Sequence, residues 1–153
     1  MGERVISKYI RRIKEVSINS AKVKKDIKIP EVTNVEMAVV YEYNAIYKTD
    51  DWNVYIINNK EIGLEMMVIV SQGFSKTKTT SLLRKKLEKL PANSFAKIEL
   101  IQPELFKLNN RFQVTFFTGN TLFEKTFIFE ANSVKEGALR MIPEIKKRGV
   151  LAK

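Results

Sequence analysis

The strongest constraint on the fold is a β-hairpin signature near the end of the chain. Apolar and polar residues alternate from Phe112 to Phe116, the pair Gly119-Asn120 follows, and a second run rich in phenylalanine and threonine spans residues 121–129. Glycine at the first of two loop residues fits a type II′ turn, because a positive φ costs glycine little. This arrangement predicts a pair of antiparallel strands.

The same period of two recurs upstream of this hairpin and indicates further strands. Trp52 begins one of them and is expected to pack between two sheets. A third strand is expected to carry Met67 and Ile69 on one face and four apolar residues on the other, namely Leu64, Met66, Val68 and Val70. Residues 76–90 show both strand and helix signals, and we predict a strand at 78–84. Residues 48–51 are predicted to form a turn between two strands, and residues 103–108 are predicted to form a short helical turn that crosses between the sheets.

About seven short strands with no helix between them predict a mainly β fold. We expect an antiparallel, immunoglobulin-like β-sandwich over residues 34–132. A basic helical extension and linker, residues 1–33, precedes it, and a C-terminal helical tail, residues 133–153, follows it. The tail is predicted because Ser133 and Glu136 match a capping box ahead of apolar residues at helical spacing.

Residues 4–17 have the pattern of a basic amphipathic helix, because apolar side chains recur every three or four positions with basic ones between them. Its apolar face is expected to contact a partner or the chain's own core, and a membrane surface is the alternative. The residues of this partner-helix face are Ile6, Tyr9, Ile10 and Ile13.

The chain contains no cysteine and no histidine. This composition excludes disulfide frameworks, zinc sites built from thiolates or imidazoles, cysteine nucleophiles and triads with an imidazole base. No spacing of serine and lysine indicates catalysis either, so we expect neither an enzyme nor a cofactor. No apolar run reaches the roughly 18 residues of a membrane span. The N-terminus lacks the apolar core of a secretory signal, which favours a cytoplasmic location.

The formal net charge of +10 is concentrated at both ends of the chain and in residues 76–97, whereas residues 31–75 are acidic. Such a distribution attracts polyanions, and it is equally typical of a solvated surface. The candidate contacts to an anion or nucleic acid are Lys76, Lys78, Arg84, Lys85, Lys86, Lys89, Lys146, Lys147 and Arg148. The hydroxyl-rich segment 71–80 is the first choice for a phosphate contact, although it lacks Walker spacing.

Five short stretches resemble parts of one protein family: WNVYIINN (52–59), VIVSQG (68–73), FAKIE (95–99), KTFIF (125–129) and KRGV (147–150). The family consists of short, uncharacterised proteins from Bacteroidetes-type bacteria, some of which carry the label phenylalanyl-tRNA synthetase alpha subunit. The label would imply a role beside tRNA. None of the signature arginine and glutamate motifs of a class II synthetase matches this chain, so no catalytic residue is carried over.

These features predict a non-catalytic protein-interaction module that binds through an exposed strand edge or through the N-terminal helix. A protein is therefore the expected partner, and a homo-oligomer is left open. The alternative function is binding of RNA or another polyanion through residues 76–89 and 146–148.

Overall fold

The structure, a computed structural model, describes residues 30–153. The strands in this range are β1 (Val35–Asn44), β2 (Thr49–Asn58), β3 (Leu64–Phe74), β4 (Leu83–Leu90), β5 (Ser94–Leu100), β6 (Asn109–Thr118), β7 (Thr121–Phe129), β8 (Arg140–Ile142) and β9 (Lys147–Leu151). They form two antiparallel sheets. The prediction of a mainly β, antiparallel fold is confirmed, with nine strands here rather than about seven. The predicted N-terminal helix, with its face Ile6, Tyr9, Ile10 and Ile13, lies outside the described residues.

The two sheets enclose one hydrophobic core. The five-stranded sheet has the order β5-β2-β1-β9-β8, and the four-stranded sheet has the order β4-β3-β6-β7. Met37 from the first sheet and Phe112 from the second belong to the same buried cluster. Trp52 also lies there, as predicted, with its ring centroid 4.4 Å from that of Tyr41 and 5.2 Å from that of Phe106. We call the face of each sheet that points to this core its inner face.

The predicted turns at Gly119-Asn120 and after Gln102 are confirmed. The β6–β7 hairpin turns at Gly119-Asn120, where Gly119 has a φ of +58° and Asn120 does not have a positive φ. A 3-10 turn, Pro103–Lys107, connects β5 to β6 and so carries the chain from one sheet to the other.

The strand predicted at 78–84 begins later, at Leu83. Thr80 is held in a loop instead, because its backbone N–H donates to the Gly73 carbonyl at 2.9 Å. The Thr80 hydroxyl also accepts a hydrogen bond from the Gly73 N–H at 2.9 Å. Thr80 therefore closes the β3–β4 loop, although threonine by itself favours a strand.

A bulge in β3 changes which of its residues are buried. Met66 has a φ of +50°, and the pairing of β3 with β6 shifts between Glu65 and Val68. The extra residue reverses the alternation of side chains. The inner face consequently carries Leu64, Met67 and Ile69. The prediction that Leu64 shares its face with Val68 and Val70 is therefore wrong.

The predicted C-terminal helical tail, residues 133–153, is wrong. A 3-10 turn, Glu136–Ala138, has no side-chain cap and is followed by β8 and β9. Strand β9 pairs with β1, with Gly149 opposite Val40. This pairing satisfies backbone N–H and C=O groups along β1 that a helix would leave unpaired. The β fold therefore continues to Leu151 instead of ending at residue 132.

The same segment covers part of the outer face of the five-stranded sheet. Ile142 and Ile145 belong to a second buried cluster whose other members are Ala38, Val40, Tyr55 and Ile57. Gly149 permits this close packing, because a Cβ atom at this position would lie 2.7 Å from the Val39 carbonyl oxygen. The domain thus has a small additional apolar layer beside β1 and β2.

Candidate functional site

An open groove of about 420 Å³ lies where the end of β1 meets the β8–β9 segment. Its lining residues are Tyr41, Glu42, Tyr43, Leu139, Met141, Lys146, Lys147 and Arg148. The structure therefore brings one of the two predicted basic clusters, residues 146–148, to the wall of a groove with aromatic and aliphatic surface. The charge of this cluster is the only feature that singles it out in the sequence.

A buried carboxylate links the strands beside this groove. The Glu42 side chain is 8% exposed and accepts hydrogen bonds from the Tyr55 hydroxyl at 2.6 Å, the Asn53 amide at 3.0 Å and the Lys147 ammonium at 2.7 Å. Burial alone opposes its ionisation, but these hydrogen bonds and the charge of Lys97 outweigh burial and lower the pKa of the Glu42 carboxyl. Burial and the nearby Glu42 charge raise the pKa of Tyr55. The network holds β9 against β1 and β2.

The β1–β2 turn projects two exposed apolar side chains next to the groove. Ile46 is 85% exposed and Tyr47 is 75% exposed. Their backbone N–H groups donate to Asn44 Oδ1 at 3.0 and 3.2 Å, and Asn44 Nδ2 donates to Asp51 at 3.0 Å. The turn is therefore held in one conformation while its apolar side chains face solvent. We call Tyr43, Ile46 and Tyr47 the hairpin tip.

The hairpin tip was not predicted, because the turn was expected at residues 48–51. The structure places Asp50 and Asp51 within β2 and the turn before them. The signal that was available is the run Asn-Ala-Ile-Tyr at 44–47, in which an asparagine able to form an Asx turn precedes two large apolar residues.

The charges around the groove are mixed. Lys147 is paired with Glu42, whereas Lys146 and Arg148 form no ion pair within residues 30–153. Burial and the carboxylates of Asp50 and Glu136 raise the pKa of Tyr41, which also lines the groove. A ligand would therefore meet unpaired cations on the β9 side and carboxylates near Tyr41.

The other basic cluster lies on the far side of the molecule. Its members occupy the β3–β4 loop and edge strand β4, and they are Lys76, Lys78, Arg84, Lys85, Lys86 and Lys89. Strand β4 adjoins β5, which is the opposite edge of the five-stranded sheet from β8. The structure therefore does not join the two predicted basic clusters into one surface. Within the described part of the chain none of these six cations forms an ion pair, and lysines on an edge strand oppose pairing with another sheet.

The segment 71–80 borders a cavity of about 70 Å³ that also contains a carboxylate. The Ser71 hydroxyl donates to Glu99 at 3.2 Å. Burial raises the pKa of the Glu99 carboxyl, although Ser71 and Lys85 act in the opposite direction. A carboxylate in this position disfavours a phosphate, so the geometry gives no support to the predicted phosphate contact.

In the described range, no group of three or more acidic side chains is arranged to hold a metal ion. No helix there has the length and apolarity that crossing a bilayer requires. Neither the known protein-family models, nor the curated proteins, nor the solved structures include a match to this chain.

Proposed function

We propose that this protein is a non-catalytic protein-interaction module of immunoglobulin-like architecture that binds its partner through the hairpin tip and the adjoining groove. The observation that carries the proposal is a rigid turn that exposes Ile46 and Tyr47. Binding hot spots are enriched in tyrosine, and a contact surface that is already ordered loses little conformational entropy on binding. The distribution of β1, β2 and β5 in one sheet and β3, β4, β6 and β7 in the other supports the architecture.

The groove suggests the chemistry of the partner surface. Apolar side chains at the hairpin tip require an apolar pocket, and the unpaired Lys146 and Arg148 favour carboxylates at the border of that pocket. We therefore expect a folded protein with a shallow apolar depression and acidic residues on one side of it.

The test is affinity capture from native lysate with quantitative mass spectrometry, followed by titration of the captured protein. The variant Ile46→Ser with Tyr47→Ser should lose a specific partner and keep its melting temperature. Leu82→Ser is the matched control, because Leu82 is 62% exposed in the β3–β4 loop, far from the tip. A partner that binds the tip variant as tightly as the wild type would refute the proposal. Alanine at Ile6, Ile10 and Ile13 tests the predicted helix face in the same assay.

A second candidate function is binding of RNA or another polyanion, and one observation favours it. Tyr43 is exposed and lines the groove with Lys146 and Arg148, which combines a ring for base stacking with cations for phosphate. Titration with single-stranded RNA at several salt concentrations tests this, because affinity for a polyanion falls steeply with salt. Alanine pairs at Lys146 and Arg148, and separately at Lys85 and Lys86, would show which cluster binds. Absence of binding at low salt removes this function.

A further inference from the structure

Strand β7 is the least protected sheet edge in the described chain. The other three edge strands carry devices that discourage pairing: β8 has three residues, β5 has a register shift, and β4 has four cations. Strand β7, Thr121–Phe129, has nine residues, no proline and an uninterrupted register with β6. An edge of this kind is a template for an added strand.

One end of this edge already accepts a strand. The backbone N–H and C=O of Ile128 both bond to Lys153, at 3.1 and 3.0 Å, which is the pattern of an antiparallel pair. The backbone N–H and C=O groups of successive residues point to opposite edges of a strand. Those of Leu122, Glu124 and Thr126 therefore point to the same edge as those of Ile128, away from β6. Between residues 30 and 153, these three outward positions have no backbone partner.

We propose that β7 binds an extended peptide of a partner protein as an additional antiparallel strand, continuing the pairing that Lys153 begins. This surface is separate from the hairpin tip and does not depend on it. Charges specify the peptide. The Lys125 ammonium lies 4.9 Å from the centre of the Phe127 ring and forms no ion pair in the described structure, and Glu124 accepts a hydrogen bond from Gln113. The matching peptide has an acidic residue opposite Lys125 followed by a basic residue opposite Glu124.

A second copy of this chain is a poorer occupant. Symmetric pairing of two β7 strands must place residues whose backbone groups point away from β6 opposite one another. The register that uses all three outward positions sets Glu124 opposite the same residue of the other copy. A shift of the symmetry centre by one residue toward Thr126 sets Lys125 opposite itself, whereas a shift toward Thr121 sets Phe123 opposite itself and leaves Thr126 opposite a turn residue, without a strand partner. Like charges directly opposite are destabilising. Pairing Glu124 with Lys125 of a second copy would set a residue whose backbone groups point away from β6 against one whose backbone groups already bond to β6. The backbone hydrogen bonds between the two copies could therefore not form.

The test uses the full chain and a synthetic peptide, Val-Thr-Glu-Lys-Val-Thr-Val, aligned antiparallel to residues 121–127. Bound peptide should slow hydrogen exchange at the amides of Leu122, Glu124 and Thr126 about tenfold when its concentration is about ten times Kd. The intervening amides, which already bond to β6, should change little. The control peptide with lysine and glutamate exchanged should bind about tenfold more weakly. Absence of binding, or protection without this alternation, would overturn the proposal.

Variants of the protein test the same edge from the other side. Thr126→Pro removes one outward N–H and should weaken binding at least tenfold, whereas Thr126→Ala retains that N–H and should bind normally. Replacing Glu124 and Lys125 by threonine removes the opposed charges, so this variant should self-associate in sedimentation velocity while the wild type does not pair through β7. Dimerisation of the wild type that Thr126→Pro abolishes would overturn the proposal. The variant Ile46→Ser with Tyr47→Ser should bind the peptide like the wild type, which separates this site from the proposed function.

Discussion

Replacing Glu42 by glutamine should destabilise the domain by about 2 kcal/mol, because the buried carboxylate is the common acceptor of three hydrogen bonds. Glutamine has nearly the same shape, so no cavity forms and the change isolates the charge. Its oxygen can still accept from Tyr55 and Asn53, but its amide group cannot accept from the Lys147 ammonium.

The magnitude follows from the partners. A hydrogen bond to a charged group contributes about 1.5–3 kcal/mol and a neutral one about 0.5–1.5, so the bonds from Tyr55 and Asn53 should each weaken by about 1 kcal/mol. Lys147 is 47% exposed and can return to water, so losing its ion pair adds less than about 1 kcal/mol. The neutral amide no longer bears the desolvation cost of a buried charge, which offsets part of the loss.

The effect depends on pH with a definite sign. The pKa of Glu42 is lowered in the folded state, so its contribution is complete above its ordinary pKa of 4.5 and is lost as the pH falls through the folded-state pKa. The stability difference between wild type and Glu42→Gln should therefore be constant near neutrality and shrink in acid.

Urea denaturation at several pH values measures this difference, and a thermal scan at pH 7 should show a lower melting temperature by about 7 °C. Glu36→Gln is the matched control, because Glu36 lies on the same strand and is exposed. A Glu42→Gln variant as stable as the Glu36→Gln variant would refute the assigned role of the network. So would a variant whose free energy of unfolding falls in acid as steeply as that of the wild type.

Three further changes have expected outcomes. Glu99→Gln should stabilise the domain at pH 7 by less than about 1 kcal/mol, because burial raises the pKa of Glu99 in the folded state and so opposes its charge. This gain in stability should vanish in acid, where Glu99 is protonated, and a variant that urea unfolds more readily than the wild type at pH 7 would contradict it. Gly149→Ala should cost about 2 kcal/mol, since its Cβ would meet the Val39 carbonyl, and an unchanged urea midpoint would show that β9 can shift. Asn58→Ala should cost about 3 kcal/mol, because the buried Asn58 amide bonds to the carbonyls of Ile62, Leu90 and Pro91; differential scanning calorimetry should show the loss, and a cost below about 1 kcal/mol would count against it.

Sequence patterns predicted those parts of the fold that depend on neighbouring residues. The turn at Gly119 is one example, because its φ is set by two loop residues and the strands beside them. The 3-10 turn after Gln102 is another, because Pro103 fixes the backbone at its start.

The errors lie where distant strands decide the outcome. The capping-box residues Ser133 and Glu136 gave a local helix signal, but the segment that follows pairs with β1, far away in sequence. Ile142 and Ile145 are buried by residues of β1 and β2, which no window around them contains.

The candidate site was predicted only in part, for a related reason. Net charge identified Lys146 and Arg148, but a charge pattern carries no information about which face or edge will hold it, so the cluster at 76–89 was treated as equivalent. Glu42 was not singled out, because a carboxylate becomes a network centre only through Tyr55 and Lys147, which come from two other strands.

The bulge at Met66 also affects how the four-stranded sheet can assemble. On the two sides of the bulge, the side chains of β3 alternate between the inner and outer faces in opposite phase. Sliding β3 by one residue against β6 would therefore turn Ile69 away from the core, and the other half of the strand would bring no apolar residue to the inner face in exchange. A slipped pairing with β6 during folding would thus expose apolar surface and be short-lived. The bulge thus sets the alignment of β3 with β6, whereas the register with β4 is continuous. Deleting Met66 would remove the shift against β6 but would put one half of β3 out of register with β4, so the two neighbouring strands would require different alignments.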